Sequence, residues 1–289
     1  MQELSLTYRN FISDCRPETV TGSGVMVLLE KASRYLSTLD SMAGHAEVVK
    51  ARVYLRNAAK TLLMRADWIG DSAQQSLVNF INEQPEFLPD GPYKFTHDYF
   101  SQNIGQWTKD LARFAGQSHL AFLEIGSFEG RSACWLLQNI LAHDSSRMTC
   151  VDTFEQERSQ GAFDTTGLDS TLMSSEDRFD YNIRQTGASH RVEKLKGNSH
   201  EVLRSLSRSQ YDFIYIDGSH VAKDVLEDAV LAWPLLKTGA VLTFDDYQWR
   251  DEPDPLRCPQ IGIDAFLQVY EGHYRMIHKD YQVTLEKLS

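Results

Sequence analysis

The sequence has little of what marks secreted, membrane-spanning or unfolded proteins. Its 289 residues include four cysteines, Cys15, Cys134, Cys150 and Cys258, which lie far apart and form no CxxC pair. They are expected to be reduced thiols, which is typical of a cytoplasmic protein. No apolar run approaches the roughly 18 residues of a membrane-spanning helix, and the first residues lack the basic and then apolar order of a signal peptide. Aromatic residues make up 11% of the chain and occur throughout, which excludes low-complexity disorder.

The sequence also lacks a basic stripe of the kind that holds a phosphate backbone. Residues 1–118 carry 12 Lys and Arg against 13 Asp and Glu, whereas residues 119–289 carry 17 against 27. Nearly all of the net charge of −11 therefore lies in the second region. This argues against nucleic acid as a partner and suits a small neutral or cationic ligand, or a bound metal cation. On charge alone, an acidic surface that only keeps the protein in solution is the better explanation.

Residues 1–118 show helical spacing of apolar residues and almost no strand pattern. The spacing predicts helices at residues 25–39, 46–68 and 98–114, and a short helix through Leu77 and Ile81 that Asp71 or Ser72 caps. A turn-rich segment, residues 84–92, lies between this short helix and the helix at residues 98–114.

From residue 119 to residue 289, short apolar runs alternate with helical segments. Strands are predicted at residues 120–125, 148–152, 192–195, 211–217 and 240–244, and a terminal hairpin at 274–277 and 282–285. Helices are predicted at residues 133–141, 175–185, 199–206, 222–236 and 263–270. This order predicts an α/β fold with a largely parallel sheet and helices on both faces. Ligands of such sheets bind outside the carboxyl ends of the strands, so the residues just after each strand are the functional candidates.

The first strand ends in a glycine turn, Glu124-Ile125-Gly126-Ser127-Phe128-Glu129-Gly130-Arg131-Ser132. Two glycines four residues apart, directly before a helix, let the backbone approach a ligand closely. The GxGxxG pattern of dinucleotide oxidoreductases is absent, which disfavours a nicotinamide-dependent enzyme. Asp152, after the second strand, is placed to accept both hydroxyls of a ribose. Asn198 and Ser199, after the third strand, form either an adenine-edge contact or a helix cap.

Three carboxylates follow the fourth and fifth strands: Asp217, and the pair Asp245 and Asp246. Acids packed together repel one another unless a cation neutralises them, so an oxygen-ligated hard metal such as Mg²⁺ is the economical explanation. Two helix-capping acids and one solvated Asp are the alternative. His220 lies three residues after Asp217, at the same end of the sheet, where it neighbours both the acids and the expected ligand edge.

Taken together, these segments resemble the class I S-adenosylmethionine-dependent methyltransferases. The turn from Glu124 to Ser132, the acid Asp152 and the segments around Asp217 and Asp245 are most similar to metal-dependent O-methyltransferases of the catechol, caffeoyl-CoA and macrolide-sugar types. The resemblance covers about residues 119–289. It implies a Rossmann-like methyltransferase sheet that is mostly parallel, with a C-terminal antiparallel hairpin, preceded by an α-helical N-terminal region. Residues 1–118 would then be a helical cap for substrate binding or dimerisation, which leaves a homo-oligomer open.

The resemblance also implies roles for individual residues. His220 corresponds to the base that follows the first metal ligand by three residues, a Lys in the catechol type and a His in the macrolide-sugar type, and Asp217 stands beside it in catalysis. The Mg²⁺ ligands correspond to Asp217, Asp245 and Asp246. Contacts to S-adenosylmethionine are expected from Glu124, Gly126, Ser127, Gly130, Ser132, Asp152, Asn198, Ser199 and Asp217.

The expected activity is Mg²⁺-dependent transfer of a methyl group from S-adenosylmethionine to a hydroxyl oxygen of a small molecule, a natural product or a sugar. A metal-free O- or N-methyltransferase, in which Asp217 and His220 handle the proton, is one alternative. A non-catalytic module that only binds the cofactor is another. Neither a membrane nor nucleic acid is expected as a partner. Five aromatic residues are candidates for the walls of the acceptor pocket, with ordinary core packing the alternative for each: Tyr99, Phe100, Trp107, Tyr247 and Trp249.

Overall fold

The computed structural model describes residues 22–42, 44–65, 69–155, 173–250 and 254–289, which fall into two compact units. The first unit comprises the described parts of Met1–Asp98 and Gln156–Ser174, and the second comprises Tyr99–Glu155 and the described part of Ser175–Ser289. The sequence pattern places the boundary at residue 118, whereas the contacts place it between Asp98 and Tyr99. The role of the N-terminal region as a cap remains a prediction. In the ranges described, no helix is long and apolar enough to cross a membrane.

The described part of the first unit contains three helices: α1 Gly22–Met42, α2 His45–Arg65 and α3 Asp71–Glu83. These are the helices predicted there, although the last residues of the second prediction, 66–68, lie outside the described residues. The predicted capping of α3 by Asp71 or Ser72 is wrong, because Gly70 is the capping residue and its carbonyl oxygen accepts the N–H groups of Ala73 and Gln74. Asp71 instead lies in the first turn, where a negative charge stabilises a helix.

The second unit begins with a helical segment that is broken into three pieces. The α-helix α4 Ile104–Asp110 lies between the 3₁₀ turns Ser101–Asn103 and Ala112–Phe114, so the single helix predicted at 98–114 is wrong in its length. The reason is tertiary packing, which overrides helical propensity. The Trp107 ring stands 4.7 Å from the ring of Tyr215, and the Phe114 ring 5.7 Å from that of Phe122. This packing explains why the segment belongs to the sheet-containing unit.

The sheet has the predicted mixture of parallel strands and one antiparallel hairpin. Its strands are β1 Ala121–Ile125, β2 Arg147–Asp152, β3 Val192–Lys196, β4 Tyr211–Ile216, β5 Leu236–Phe244, β6 Tyr274–Lys279 and β7 Val283–Lys287. The order across the sheet is β3-β2-β1-β4-β5-β7-β6. Strands β1 to β5 are parallel, whereas β7 is antiparallel to both β5 and β6. The fold class expected from the sequence is thereby confirmed.

The helices of this unit occupy the predicted positions, with shifted ends. They are α5 Arg131–Asn139, α6 Ser175–Gln185, α7 Ser199–Val202, α8 Ala222–Ala232 and α9 Pro259–Val269, with 3₁₀ turns at Ser189–Arg191, Leu203–Ser205 and Trp233–Leu235. Helix α8 ends before the predicted residue 236 because Pro234 lacks an N–H and restricts the residue before it. Helix α9 begins earlier than predicted because Pro259 suits the first helical position.

The register of the parallel strands aligns their carboxyl ends. Ile125 on β1 pairs with Val151 on β2 and with Ile216 on β4, and Ile216 pairs in turn with Phe244 on β5. The chain connections diverge on the two sides of β1, which makes the β1–β4 edge the place where such sheets bind ligands. The core beneath is apolar, and Cys134, Cys150 and Cys258 are buried in it as free thiols. Cys15 lies outside the described residues.

Candidate active site

The turn after β1 is held in an uncommon backbone conformation. Gly126 and Gly130 have φ angles of 88° and 78°, and Phe128 between them has φ 45°, in the left-handed region that a side chain disfavours. The Phe128 N–H donates to Oδ2 of Asp152 at 2.7 Å, and the Phe154 N–H donates to Oδ1 at 2.6 Å. Asp152 therefore ties the loops after β1 and β2 together. Each of its oxygens keeps a second lone pair, which is what ribose hydroxyls require.

Glu124, Ser127 and Ser132 lie beneath this turn. Glu124 is fully buried, and it accepts hydrogen bonds from the Ser132 hydroxyl at 2.5 Å and from the Cys150 thiol at 3.8 Å. Burial raises the pKa of Glu124 to about 7. Ser127 is also buried. These groups are buried beneath the turn, and direct contacts from them to a cofactor stay a prediction.

Asn198 and Ser199 begin α7, and they differ in exposure. Asn198 is exposed, its side chain makes no capping hydrogen bond, and its carbonyl oxygen accepts the N–H groups of Glu201 and Val202. The Ser199 hydroxyl is a hydrogen-bond partner of Asp228. Asp228 is buried, and this burial raises its pKa to about 6. Of the two, Asn198 has the side chain that is free of a capping role.

Two of the predicted acids share one tyrosine. The hydroxyl of Tyr215, on β4, lies 3.0 Å from Oδ2 of Asp217 and also hydrogen-bonds Oδ2 of Asp245. Burial and the neighbouring carboxylates raise the pKa of Asp217 well above its ordinary value, and burial together with Asp246 raises that of Asp245 to about 6. The same burial, with Asp217 and Asp245 adding to it, raises the pKa of Tyr215. The ends of β4 and β5 thus bring acidic groups together where burial and mutual repulsion disfavour their ionisation.

The third acid pairs with the predicted base. Oδ2 of Asp246 lies 2.9 Å from Nε2 of His220, and its Oδ1 accepts the Tyr281 hydroxyl at 2.7 Å. The ring of Trp249 packs 4.3 Å from the His220 ring, centroid to centroid. His220 is therefore held on one edge by a carboxylate and on one face by an indole. An imidazole held in this way is suited to accept a proton from a bound hydroxyl.

The three acids do not converge on one point. Tyr215 draws Asp217 and Asp245 together, whereas Tyr281 and His220 hold Asp246. Within the part of the chain that the structure describes, no three His, Cys, Asp or Glu side chains form a group that could hold a metal ion. The sequence pattern therefore brings the acids to one edge of the sheet, and the metal stays a matter of proposal.

The five aromatic candidates separate into core and surface residues. Phe100 and Trp107 are buried, their rings 4.9 Å apart, and the Trp107 Nε1–H donates to Oε1 of Gln282 at 2.7 Å. For these two residues the structure agrees with the alternative, ordinary core packing. Tyr99 is 63% exposed, with its ring 6.4 Å from that of Phe128 in the glycine turn.

The other two candidates lie in the loop after β5. Tyr247 donates its hydroxyl hydrogen to Asp264 at 2.9 Å, and Trp249 contacts His220 as described. Tyr99, Tyr247 and Trp249 are the candidates that keep some solvent exposure.

Sequence reasoning missed Tyr215 and Tyr281. Tyr215 had a signal, because residues two apart on a strand share a face, so Tyr215 and Asp217 were bound to be neighbours. Tyr281 had none, since it lies between β6 and β7, 35 residues beyond the acid it contacts. Only the pairing of β7 with β5 brings it to the site.

The order of the sheet, the glycine turn after β1 and the acid after β2 agree with the resemblance to class I S-adenosylmethionine-dependent methyltransferases that the sequence motifs carry. The comparison of sequences agrees, because residues 123–247 match the family model described as a methyltransferase domain. The chain therefore contains a methyltransferase domain at residues 123–247. A search of curated proteins finds no match to the sequence.

Solved structures resemble the chain in fold. One is a candidate rRNA methylase from Clostridium thermocellum, 14% identical, with a TM-score of 0.50, covering 65% of this chain and 96% of that one. Another is an O-methyltransferase from Bacillus cereus in complex with SAH, 18% identical, with a TM-score of 0.47, covering 66% and 83%. A third is the O-methyltransferase TomG from Streptomyces achromogenes in complex with SAM, 19% identical, with a TM-score of 0.45, covering 81% and 96%. At these identities the likeness concerns the fold.

Proposed function

We propose that the protein transfers the methyl group of S-adenosylmethionine to a hydroxyl oxygen of a small-molecule acceptor. Mg²⁺ would be bound by Asp217, Asp245 and Asp246, which we call the acid cluster. The observation that carries this proposal is the pairing of His220 with Asp246 at 2.9 Å, beside the carboxylates of Asp217 and Asp245. A base and a negatively charged cluster thus stand at the ends of β4 and β5, one strand away from the glycine turn on β1. O-methylation requires that the acceptor hydroxyl lose its proton and receive the methyl group at the same site.

His220 is the proposed base. A neutral hydroxyl is a poor nucleophile, and removal of its proton by a positioned side chain accelerates its reaction by typically about 10²–10⁴-fold. The carboxylate of Asp246 orients the imidazole and stabilises its charge after protonation, while Trp249 restricts the ring from one face. Asp217 contributes negative charge beside the reacting oxygen. The reaction also requires close alignment of the two substrates, which the strand ends supply by holding both at one edge.

The donor chemistry of the acid cluster fits Mg²⁺. Carboxylate oxygens are the ligands that this ion prefers, and burial together with repulsion from the neighbouring carboxylates raises the pKa of Asp217 and of Asp245. The hydroxyls of Tyr215 and Tyr281 would have to give up their hydrogen bonds to these acids, whereas Oδ2 of Asp246 would keep its contact with His220. Bound there, Mg²⁺ would lower the pKa of an acceptor hydroxyl.

The cofactor contacts follow from the loops at the strand ends. We place the ribose hydroxyls on Asp152, whose oxygens each keep a lone pair, and the backbone of residues 126–130 against the rest of the cofactor. Asn198 supplies the exposed amide at the β3 end. Glu124, Ser127 and Ser132 act from below, by fixing the turn, since they are buried.

Chelation tests the metal. We expect methyl transfer to 3,4-dihydroxybenzoate, which offers two adjacent oxygens, to stop after complete removal of divalent cations with EDTA and to return with Mg²⁺ or Mn²⁺. The matched acceptor 4-hydroxybenzoate, with one phenolic oxygen, should react more slowly because it cannot chelate. Binding of Mn²⁺, followed by electron paramagnetic resonance, should weaken in Asp217→Asn and Asp245→Asn. A natural product or a sugar with a vicinal diol is the acceptor class we propose for the protein itself.

A metal-free methyltransferase acting on oxygen or nitrogen is the second candidate. The contact of His220 with Asp246 favours it, because an oriented imidazole handles a proton without a cation. Turnover that survives complete chelation would select this candidate. A protein that binds S-adenosylmethionine in a calorimeter and transfers its methyl group to no acceptor would be the non-catalytic module instead.

A further inference from the structure

Helix α6 contacts the glycine turn at three points. Nε of Arg178 lies 2.6 Å from Oε1 of Glu129, and Nδ2 of Asn182 donates to the carbonyl oxygen of the same residue at 2.9 Å. Phe179 packs against Gly130 so closely that a Cβ there would stand 2.9 Å from its ring. Residues 178, 179 and 182 share one helix face. The side chain and the carbonyl oxygen of Glu129 thus bind α6, and the absence of a Cβ on Gly130 makes room for Phe179.

The same helix contacts the loop after β2. The ring of Phe179 lies 5.2 Å from that of Phe154, and the Ser175 hydroxyl donates to the carbonyl oxygen of Phe154 at 3.4 Å. Phe154 is one of the two residues whose N–H groups Asp152 accepts. Helix α6 therefore packs against both loops that Asp152 joins.

The pair of Arg178 with Glu129 is buried, with 6% and 1% of the two side chains exposed. Removal of Arg178 takes an opposite charge away from the buried carboxylate of Glu129, which is costly in the interior, so the turn is expected to move. The residue before Glu129, Phe128, has a positive φ angle, a conformation that persists only where the surroundings impose it. Arg178 and Asp152 hold this strained residue from its two sides, one through Glu129 and the other through the Phe128 N–H.

We propose that Arg178 is a positioning residue for S-adenosylmethionine. By fixing Glu129, it holds residues 126–130 in the shape that receives the cofactor, without touching the cofactor itself. The inference rests on the cofactor contacts proposed above. It predicts a loss of affinity for the methyl donor that is larger than any change in the KM of the acceptor.

The experiment compares Arg178→Met with Arg191→Met. Arg191 is also buried, 6% exposed, and it donates to the backbone oxygens of Leu141, His143 and Ser146 at the opposite end of the strands. Both variants should lose stability, whereas only Arg178→Met should bind S-adenosylhomocysteine more weakly, by about 10- to 100-fold in a calorimeter well below the unfolding temperature. Arg178→Lys, which keeps the charge and loses the planar fork, should lie between wild type and Arg178→Met.

Where Arg178→Met fails to fold, the double variant Glu129→Gln, Arg178→Met removes both charges of the pair, so that neither is buried without the other. It should fold and should still bind S-adenosylhomocysteine weakly. Wild-type affinity in a folded Arg178→Met or double variant would overturn the positioning role, as would an equal loss in Arg191→Met. Asp152→Ala separates the two proposals. If Asp152→Ala and the Arg178 variants all bind S-adenosylhomocysteine normally, the proposed cofactor contacts are wrong. If Asp152→Ala binds it weakly and the Arg178 variants bind it normally, only the role of Arg178 is wrong.

Discussion

Gly126 lies directly against the backbone of Asp217. A Cβ on Gly126 would overlap the carbonyl oxygen of Asp217 and would stand 2.7 Å from the Cα of Gly218. The Asp217 N–H also donates to the carbonyl oxygen of Ile125 at 2.8 Å. The glycine turn and the acid cluster therefore touch through their main chains, so a displacement of one is transmitted to the other.

Gly126→Ala should destabilise the fold by about 3 kcal/mol or more, because it adds a left-handed alanine and an overlap with backbone that has no rotamer to change. Gly116→Ala is the matched control, since Gly116 has φ 72° and open space around it. It should cost only the backbone strain, about 1–2 kcal/mol. Urea denaturation of both variants measures the difference, and equal losses would mean that the close approach to Asp217 does not exist.

Asp152→Ala should weaken binding of S-adenosylmethionine by about 1.5–3 kcal/mol, the scale of hydrogen bonds to a charged group. The structure adds a second reason for the loss, because Asp152 also accepts the N–H groups of Phe128 and Phe154. Asp152→Asn keeps one acceptor oxygen and should lose less. Calorimetry with S-adenosylhomocysteine gives both values, and unchanged affinity in Asp152→Ala would contradict the ribose assignment.

His220→Ala should lower kcat by about 10²–10⁴-fold and leave the affinity for S-adenosylmethionine unchanged, because the imidazole acts on the acceptor proton. Asp246→Asn keeps a polar group beside Nε2 of His220 but removes the charge that stabilises the protonated ring. We expect it to lower kcat less than His220→Ala does. Single-turnover rates with 3,4-dihydroxybenzoate separate the chemical step from binding. A full rate in His220→Ala would remove the histidine from the mechanism.

The sequence allowed the sheet to be predicted because its signals are local. A buried strand, the turn after it and the following helix lie within a few tens of residues, so Asp217 and Asp245 could be placed at one edge before any contact was known. Two contacts could not be predicted in this way, because each joins segments far apart along the chain. Tyr281 contacts an acid 35 residues away, and Arg178 contacts Glu129 across 49 residues. The breaks in the helix around Trp107 could not be predicted either, because they depend on packing against Tyr215 of the sheet.

Glu124 gives the stability a pH dependence with a definite sign. Burial raises its pKa from 4.5 to about 7, so between these values the folded protein holds a proton that the unfolded chain has released. The free energy of unfolding must then fall as the pH rises from about 4.5 to about 7. The contribution of this one group is about 3 kcal/mol over that window.

Glu124→Gln should remove this dependence, because the amide keeps an acceptor for the Ser132 hydroxyl and carries no charge at any pH. Near pH 5 the variant should resemble the wild type, and its relative stability should grow up to pH 8. Other buried acids, such as Asp228, are common to both proteins and cancel in the difference. Glu271→Gln, at an exposed position, controls for the loss of a negative charge as such. Urea denaturation at pH 5, 6, 7 and 8 measures the difference, and a constant value across this range would show that Glu124 is ionised in the fold throughout.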